Sequence, residues 1–513
     1  MLTGDPIEAT LERILEDRII AEAKNRLADW RKKERKRYTA FQNGLKRSGR
    51  SSVYKPLDEP NAWSSHNQFD PRYCIKHARF LSSGIIRSIR SGTYAAVPSR
   101  RFYIPKENGQ RRTVDSFAIP DAAICGLLSE ALRERNSKIF SSNSYAFRPG
   151  MSAIDAIVRL SSFMKSEKVF VSKYDFQDYF GSVDHAFISN EILGSRKFNI
   201  TRFERTVIES IINHEFIAPD GSGRRGVGFP QGNSISLFLA NAVGTYLDEA
   251  LDKRNGNYIR YSDDSIVISY SYEDAIIGTD AYSDFTKATR VKVNTEKASG
   301  ISILSDRISE MRTSNTVDFL GYSMSKNSIK LSDRAVGALK RRCSKIIYRH
   351  LLLYPKRYGL LSRARLGRRG IDWDLVSCIY ELRRMLYGNL KDHQVHSYLD
   401  GRYRLKKMPG DLSYYCLVGR VEQFAELDGW LVWAIHRALR ERLKMINVIY
   451  PHLHWSIPTP ASLVTTRWFL GSGRRFDVTI PSFTVAWRAG RKSWLNYGHL
   501  GVDGGWGNYT NVS

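Results

Sequence analysis

A chain of 513 residues exceeds one average domain, and with 42% hydrophobic residues and 10 tryptophans it can bury two or three cores rather than stay disordered. Its formal net charge of +27 opposes compaction unless a polyanion neutralises it, which makes nucleic acid the leading partner. No run of about 18 apolar residues and no lipidation signal supports a membrane reading, and five scattered cysteines, none spaced CxxC, disfavour a zinc site or disulfide framework and point to a reducing cytoplasm.

The opening Met1-Leu2-Thr3-Gly4 lacks the basic and apolar segments of a secretory signal. Asp5-Pro6-Ile7-Glu8 has a capping-box arrangement with proline in the first turn, and Ile7, Leu11, Ile14, Leu15, Leu27 and Trp30 follow at roughly helical spacing. A helix is therefore predicted over the first forty residues. It closes on Arg31-Lys32-Lys33-Glu34-Arg35-Lys36-Arg37, which reads equally well as a solvated helix end or an RNA contact. Residues 41–70, rich in Ser, Asn, Pro and Gly, read as a connector.

From about 98 to 332 strand-like and helical runs alternate, an α+β pattern. Phe102 to Val114 reads as a β-hairpin around Asn108-Gly109 with basic residues on both arms, a finger able to hold a triphosphate. An alternating apolar run from Phe170 ends at Asp175, whose carboxylate should project from a strand end. Gly228-Phe229-Pro230-Gln231-Gly232 marks a tight loop opening a helix, where backbone can approach a base or phosphate. Tyr261-Ser262-Asp263-Asp264 lies between Tyr258-Ile259-Arg260 and Ile266-Val267-Ile268, which predicts strand, tight turn, strand. Adjacent carboxylates repel unless cations sit between them, although an Asp pair at a turn is commonly just solvated.

Beyond 333 the pattern turns helical and very basic, as in Lys340-Arg341-Arg342, Lys345, Arg349, Lys356-Arg357 and Arg363 to Arg369. A further amphipathic stretch covers Val421 to Met445, and the last sixty residues, rich in Trp, Gly, Thr and Ser, read as a small β-like or irregular appendage. The chain shows no internal repeat.

Taken in order, IPKENGQRR, Ser144-Tyr145-Ala146-Phe147-Arg148-Pro149-Gly150, YDFQDYFGSVDH, GFPQGNSIS, YSDD, Val293-Asn294-Thr295-Glu296-Lys297 and Phe319-Leu320-Gly321-Tyr322 resemble the blocks of reverse transcriptases. The resemblance covers roughly residues 100–330 and is strongest to bacterial enzymes related to group II intron, retron and defence-associated types. It implies an α+β right-hand polymerase whose fingers and palm (71–332, an antiparallel sheet plus helices) follow an N-terminal helical extension (1–70). A helical basic thumb (333–452) and a small Trp/Gly-rich C-terminal appendage (453–513) complete it.

The same resemblance implies that Asp175, Asp263 and Asp264 bind two Mg2+ ions, with Mn2+ as a substitute; oxygen ligands suit such hard cations. Lys106 and Arg112 match residues that clamp the incoming triphosphate, and Lys297 matches a lysine near the phosphates. Phe180 matches an aromatic gate against a ribose 2′-hydroxyl, and Gln231 and Gly232 match the loop bordering the sugar and templating base. Asp178 sits where the family touches triphosphate through nearby backbone, though it also reads as a helix-start residue. Tyr261 is expected to pack near the primer end, and Arg148 to be structural or template-contacting. Lys340, Arg341, Arg342 and Lys345 would grip the duplex. Asp184 and His185 suggest a general-base pair, but in the related enzymes that segment is a helix start.

Ser262 and Leu237 depart from the residues most relatives carry there, and neither change removes a carboxylate. No Cys/His endonuclease module follows, which argues against an independently mobile intron protein. The expected activity is RNA-directed DNA synthesis from dNTPs, copying an associated non-coding RNA in bacterial antiphage defence, with no membrane partner and room for a homo-oligomer. A retron-type enzyme, an RNA-directed RNA polymerase and a non-catalytic RNA-binding scaffold are the alternatives.

Overall fold

The computed structural model describes residues 6–48, 51–105, 109–254, 256–294, 300–305, 311–353, 366, 372–465, 468–469, 475–476 and 479–503. Lys106, Lys297, Lys356, Arg357 and the Arg363–Arg369 run, Leu366 apart, lie outside the described residues.

Strict alternation along the strands organises the molecule. A five-stranded sheet carries, in spatial order, Thr313–Ser314, Gly300–Leu304, Phe170–Tyr174, Asp264–Ser269 and Tyr258–Tyr261. Successive side chains point to opposite faces, so Ile259, Ile266 and Ile268 enter one hydrophobic core while Tyr258 and Val267 enter another. Helices Ile235–Asp252 and Tyr272–Thr289 contribute to the second core. The first core is shared with the three-stranded sheet Val317–Phe319, Tyr322–Met324 and Ile329–Leu331, and with the helices that follow it. A separate four-stranded sheet is ordered Arg111–Ser116, Ser99–Pro105, Glu215–Ala218, Gly221–Arg224.

The N-terminal helix runs from Pro6 to Ser48, well past the expected connector boundary at 41. Asn43-Gly44 reads as a turn signal, yet a glycine inside a helix costs only about 1 kcal/mol, and Phe41 packs on Tyr54 with ring centroids 5.1 Å apart. Its first half is part of the second core: Leu15, Ile19 and Ala23 are fully buried, and Phe176, Tyr179 and Phe229 belong to the same cluster. Arg26 adds a hydrogen bond of 2.9 Å to the Phe117 carbonyl.

Among its described residues the C-terminal region, expected as a small β-like or irregular appendage, is partly strand and partly helix. Besides one short pair of strands, Trp468–Phe469 with Arg475–Phe476, it holds the helix Phe483–Tyr497. The face formed by Phe483, Ala486, Trp487, Gly490 and Ser493 is buried, with Trp487 stacked on Phe424 at 5.2 Å. Asp428 accepts from the Phe483 and Thr484 amides at 2.6 and 3.3 Å, so a carboxylate meets the positive end of the helix. Small residues on the buried face made its helical period faint in the sequence.

Candidate active site

The Tyr258–Tyr261 and Asp264–Ser269 strands form a two-residue hairpin in which Tyr261 pairs with Asp264. Ser262 takes φ +62°, a left-handed conformation that glycine normally supplies at this turn position. Next to it, Tyr174 pairs with Ser265, and continuing that register by one residue sets Asp175 opposite Asp264. Asp175, Asp263 and Asp264 therefore lie at the ends of neighbouring strands. Asp263 is half-buried, and its carboxyl is pushed up to about 7, by burial first, then by Asp264, with a smaller push from Asp175. Asn294 braces the group, donating from its amide to the Asp175 carbonyl at 2.8 Å and from its side chain to the carboxylate at 3.4 Å.

Among the described residues no three His, Cys, Asp or Glu side chains are grouped closely enough to hold a metal ion. The donor chemistry fits a hard cation: oxygen-only ligands, one of them with its carboxyl pushed up by burial and then by its acidic neighbours, a strain that a positive charge would relieve.

Behind the turn sits a buried pair that the sequence reading missed. Arg260 and Asp248 are each about 1% exposed and meet twice, Nε to Oδ1 at 2.7 Å and Nη2 to Oδ2 at 2.6 Å. Arg260 Nη1 also donates to the Ser262 carbonyl at 3.1 Å, and Nη2 to Ser144 Oγ at 2.7 Å. One guanidinium thus ties the SYAFRPG segment, the helix after the PQG loop and the acidic turn together. A Cβ on Gly244 would lie 2.5 Å from the guanidinium carbon, so that helix position must be glycine. Burial raises the Asp248 carboxyl, whereas Asp248 outweighs burial to raise the Arg260 guanidinium. The two shifts read the pair differently, and the double hydrogen bond decides for an ionised pair.

The PQG loop is fastened on two sides. Gly228 donates to the Val183 carbonyl at 2.8 Å and Phe229 to the Phe180 carbonyl at 2.7 Å, while His185 Nε2 donates to the Gly228 carbonyl at 2.7 Å. A Cβ on Gly228 would sit 2.4 Å from the Phe180 carbonyl oxygen, and its φ of +68° also requires glycine. On the other side the Asp115 amide donates to the Gln231 carbonyl at 2.8 Å. The Asp115 side chain is fully buried and bound by Arg101 (2.7 and 3.1 Å) and Arg225 (2.8 Å), with His214 at 3.5 Å. Burial alone would raise its pKa, but those three partners hold it well below the usual carboxylate range. Asp115→Asn should destabilise the protein by about 2–4 kcal/mol, because two largely covered arginines lose their fully buried counter-charge. Urea unfolding with retained far-UV signal measures it, and an unchanged midpoint would contradict this account.

Phe180 is half-buried, edge-on to Phe229 at 5.1 Å, between the acidic strand end and the PQG loop. Asp178 is exposed, in the left-handed region at φ +47°, preceding the Tyr179–Ser182 helical turn. Arg112 lies on the outer hairpin paired with Ile104. Asp184 caps a helix start by accepting from the Ala186 amide at 3.0 Å and pairs with Arg290 at 2.9 Å. Arg148 is turned inward, its guanidinium donating to the Ser141, Ser144 (2.8 Å) and Ser137 (3.3 Å) carbonyls. Tyr261 is half-buried against the first core. Lys340, Arg341, Arg342 and Lys345 lie on the helix Asp333–Ile347, away from the carboxylates in sequence; Lys340 sits over Trp430 at 5.5 Å and Arg342 pairs with Asp411.

Residues 104–324 match the family described as reverse transcriptase (RNA-dependent DNA polymerase). The chain is 29% identical over 169 residues to Protein YkfC of Escherichia coli, which covers 32% of this chain and 43% of that protein. It is 25% identical over 178 residues to an uncharacterized 91 kDa protein in a cob intron of Schizosaccharomyces pombe, covering 34% and 21% respectively. The chain thus spans less than half the length of the curated relatives it matches. Among solved structures, telomerase from Candida albicans with a TWJ fragment of telomeric RNA overlays at TM-score 0.37 and 11% identity, covering 72% of this chain and 66% of that one. Apo telomerase from Candida tropicalis overlays at TM-score 0.35 and 16% identity, covering 51% and 60%. No described helix is long and apolar enough to cross a membrane.

Proposed function

We propose that this chain is an RNA-directed DNA polymerase whose fingers and palm lie within 71–332 and whose thumb lies within 333–452. The observation that carries the reading is the placement of Asp175, Asp263 and Asp264 at adjoining strand ends, with Asp263 pushed up by burial first and then by its two neighbours. These three residues would hold two Mg2+ ions, which supply activation of a primer 3′-hydroxyl and stabilisation of departing pyrophosphate. Arg112, with Lys106 and Lys297, neutralises the triphosphate. Gln231 and Gly232, fastened to Asp115, set the floor under the sugar and base, and Phe180 closes the space a 2′-hydroxyl would need. Tyr261 supports the primer end, Asp178 presents backbone to the phosphates, and Lys340, Arg341, Arg342 and Lys345 face the duplex backbone. Arg148, spent on carbonyls, holds the template-side loop.

Extension of a DNA primer on an RNA template tests the reading: dNTPs should be incorporated and NTPs strongly disfavoured. Preferential NTP use would replace it with an RNA polymerase. Phe180→Ala should leave dNTP addition measurable and raise NTP incorporation by at least about tenfold, the loss of one steric contact of about 1.4 kcal/mol or more. Unchanged sugar selectivity would remove Phe180 from that role.

The finer proposal is that the template is a dedicated non-coding RNA and the setting is cytoplasmic antiphage defence; five buried free thiols suit a reducing compartment. Sequencing the copurified nucleic acid tests this. One discrete RNA with complementary DNA supports it, and random cellular RNA overturns it.

A further inference from the structure

Charge is divided unevenly along the N-terminal helix. Between Thr10 and Asp29, the half that packs into the core, five acids face four bases. Between Trp30 and Ser48 there are eight bases and one acid. At about 1.5 Å per residue this second half extends for nearly ~30 Å.

The lone acid is already occupied. Glu34 accepts from the Tyr54 hydroxyl at 2.7 Å and from the Leu57 amide at 2.8 Å, on the side of the helix covered by the returning segment 51–63. Aromatic contacts close that side: Trp30 with Trp63 at 5.8 Å, Tyr38 with Tyr54 at 5.0 Å. The remaining circumference presents Arg31, Lys32, Lys33, Arg35, Lys36 and Arg37, all exposed. Arg31 and Arg35, Lys32 and Lys36, and Lys33 and Arg37 are like charges at i,i+4, each pair destabilising to a free helix. A helix that needed only solubility would interleave signs, as the first half does.

We propose that this arm is a second RNA-binding surface, which grips the phosphate backbone of duplex RNA flanking the template outside the polymerase site. Its rigid aromatic backing fixes the cations in advance, so little ordering entropy opposes binding. A membrane surface does not fit, because an interfacial helix needs a continuous exposed apolar face, and here Trp30 and Phe41 are packed against the returning segment and leave Tyr38 alone exposed among the arm's described large apolar side chains. The choice of RNA over other polyanions rests on the polymerase reading above.

The test uses the full chain with its polymerase site saturated by a short DNA-primed RNA template. A labelled blunt RNA duplex of about 20 base pairs is then titrated, with anisotropy as the readout, over a range of salt. Lys32→Gln/Lys33→Gln/Arg35→Gln/Lys36→Gln should weaken duplex binding by at least about tenfold and flatten the log–log salt slope by about 3. Primer extension on the short template should be unchanged. The unfolding temperature should hold or rise, since like-charge pairs are removed; if it falls, Lys32→Gln/Lys36→Gln and Lys33→Gln/Arg37→Gln, each with an intact unfolding temperature, decide. Equal duplex affinity and slope in wild type and variants overturns the proposal, as does equal loss of binding to heparin and to double-stranded DNA of the same length. A wild type that fails to extend the primer yet binds duplex through the arm would sink the polymerase reading alone.

Discussion

Asp263→Asn is expected to abolish nucleotide addition and, at pH 8 without divalent cations, to raise the unfolding temperature. On the proposed two-metal reading the activity loss follows from replacing one of three anionic carboxylates by a neutral amide, while RNA affinity, carried by bases elsewhere, should stay intact. The gain in stability follows from the raised pKa. Asp263 lies near 7 in the folded chain against an ordinary 3.8, so the folded protein retains a proton that the unfolded chain has released. Its contribution is whole below about pH 4 and drains away as pH rises through 7. The displacement corresponds to at most about 4 kcal/mol. Sharing of charge with Asp264 and the residue's partial exposure bring the expected gain nearer about 1–2 kcal/mol. Thermal unfolding in chelator at pH 8 and pH 5 checks the sign: the variant should exceed wild type at pH 8, and the gap should narrow to roughly 40% of that value at pH 5. A variant no more stable than wild type at pH 8 would falsify the assignment of Asp263 as the strained carboxyl. Added Mg2+ should narrow the gap at pH 8 by stabilising wild type more than the variant.

The second large effect is expected at Arg260. Arg260→Met leaves Asp248 buried and unpaired, a loss of about 3–5 kcal/mol. Arg260→Met/Asp248→Leu removes both charges and should recover most of that stability, because a buried pair replaced whole by apolar groups is often neutral. Activity should not recover with it. Ser262 at φ +62° stores roughly 1–3 kcal/mol of backbone strain, and in the double variant no guanidinium remains to hold its carbonyl. Denaturation midpoints and primer extension on the same preparations separate the two consequences. If the stable double variant synthesises DNA at the wild-type rate, Arg260 is a packing residue and nothing more.

Much of the site was legible because it is local. Strand–turn–strand around Tyr261 to Asp264, the strand ending at Asp175 and the Gly-Pro-Gly loop at 228–232 each announce themselves within a few residues, through alternation, paired acids and turn formers. What escaped was non-local. Nothing in the sequence links Asp115 to Arg225, 110 positions away, or Asn294 to Asp175, 119 positions away. Arg260 and Asp248 are only 12 apart, but one lies on a strand and the other on a helix, and each alone reads as an ordinary surface charge. The C-terminal helix escaped for another reason: Ala486, Gly490 and Ser493 let it pack closely without the apolar weight that periodicity detects.

The residues by themselves determined the chemistry on offer: a strongly cationic chain, three carboxylates poised at strand ends, and turn formers where backbone must come close. Only the tertiary structure decided how that chemistry is held. Register sets Asp175 opposite Asp264, a buried guanidinium clamps the turn, and a single helix splits into a charge-balanced half in the core and a cationic half outside it. The reason is physical. Alternation and turn propensity act over a few bonds, whereas the burial of a charge depends on which distant partner the fold brings to it.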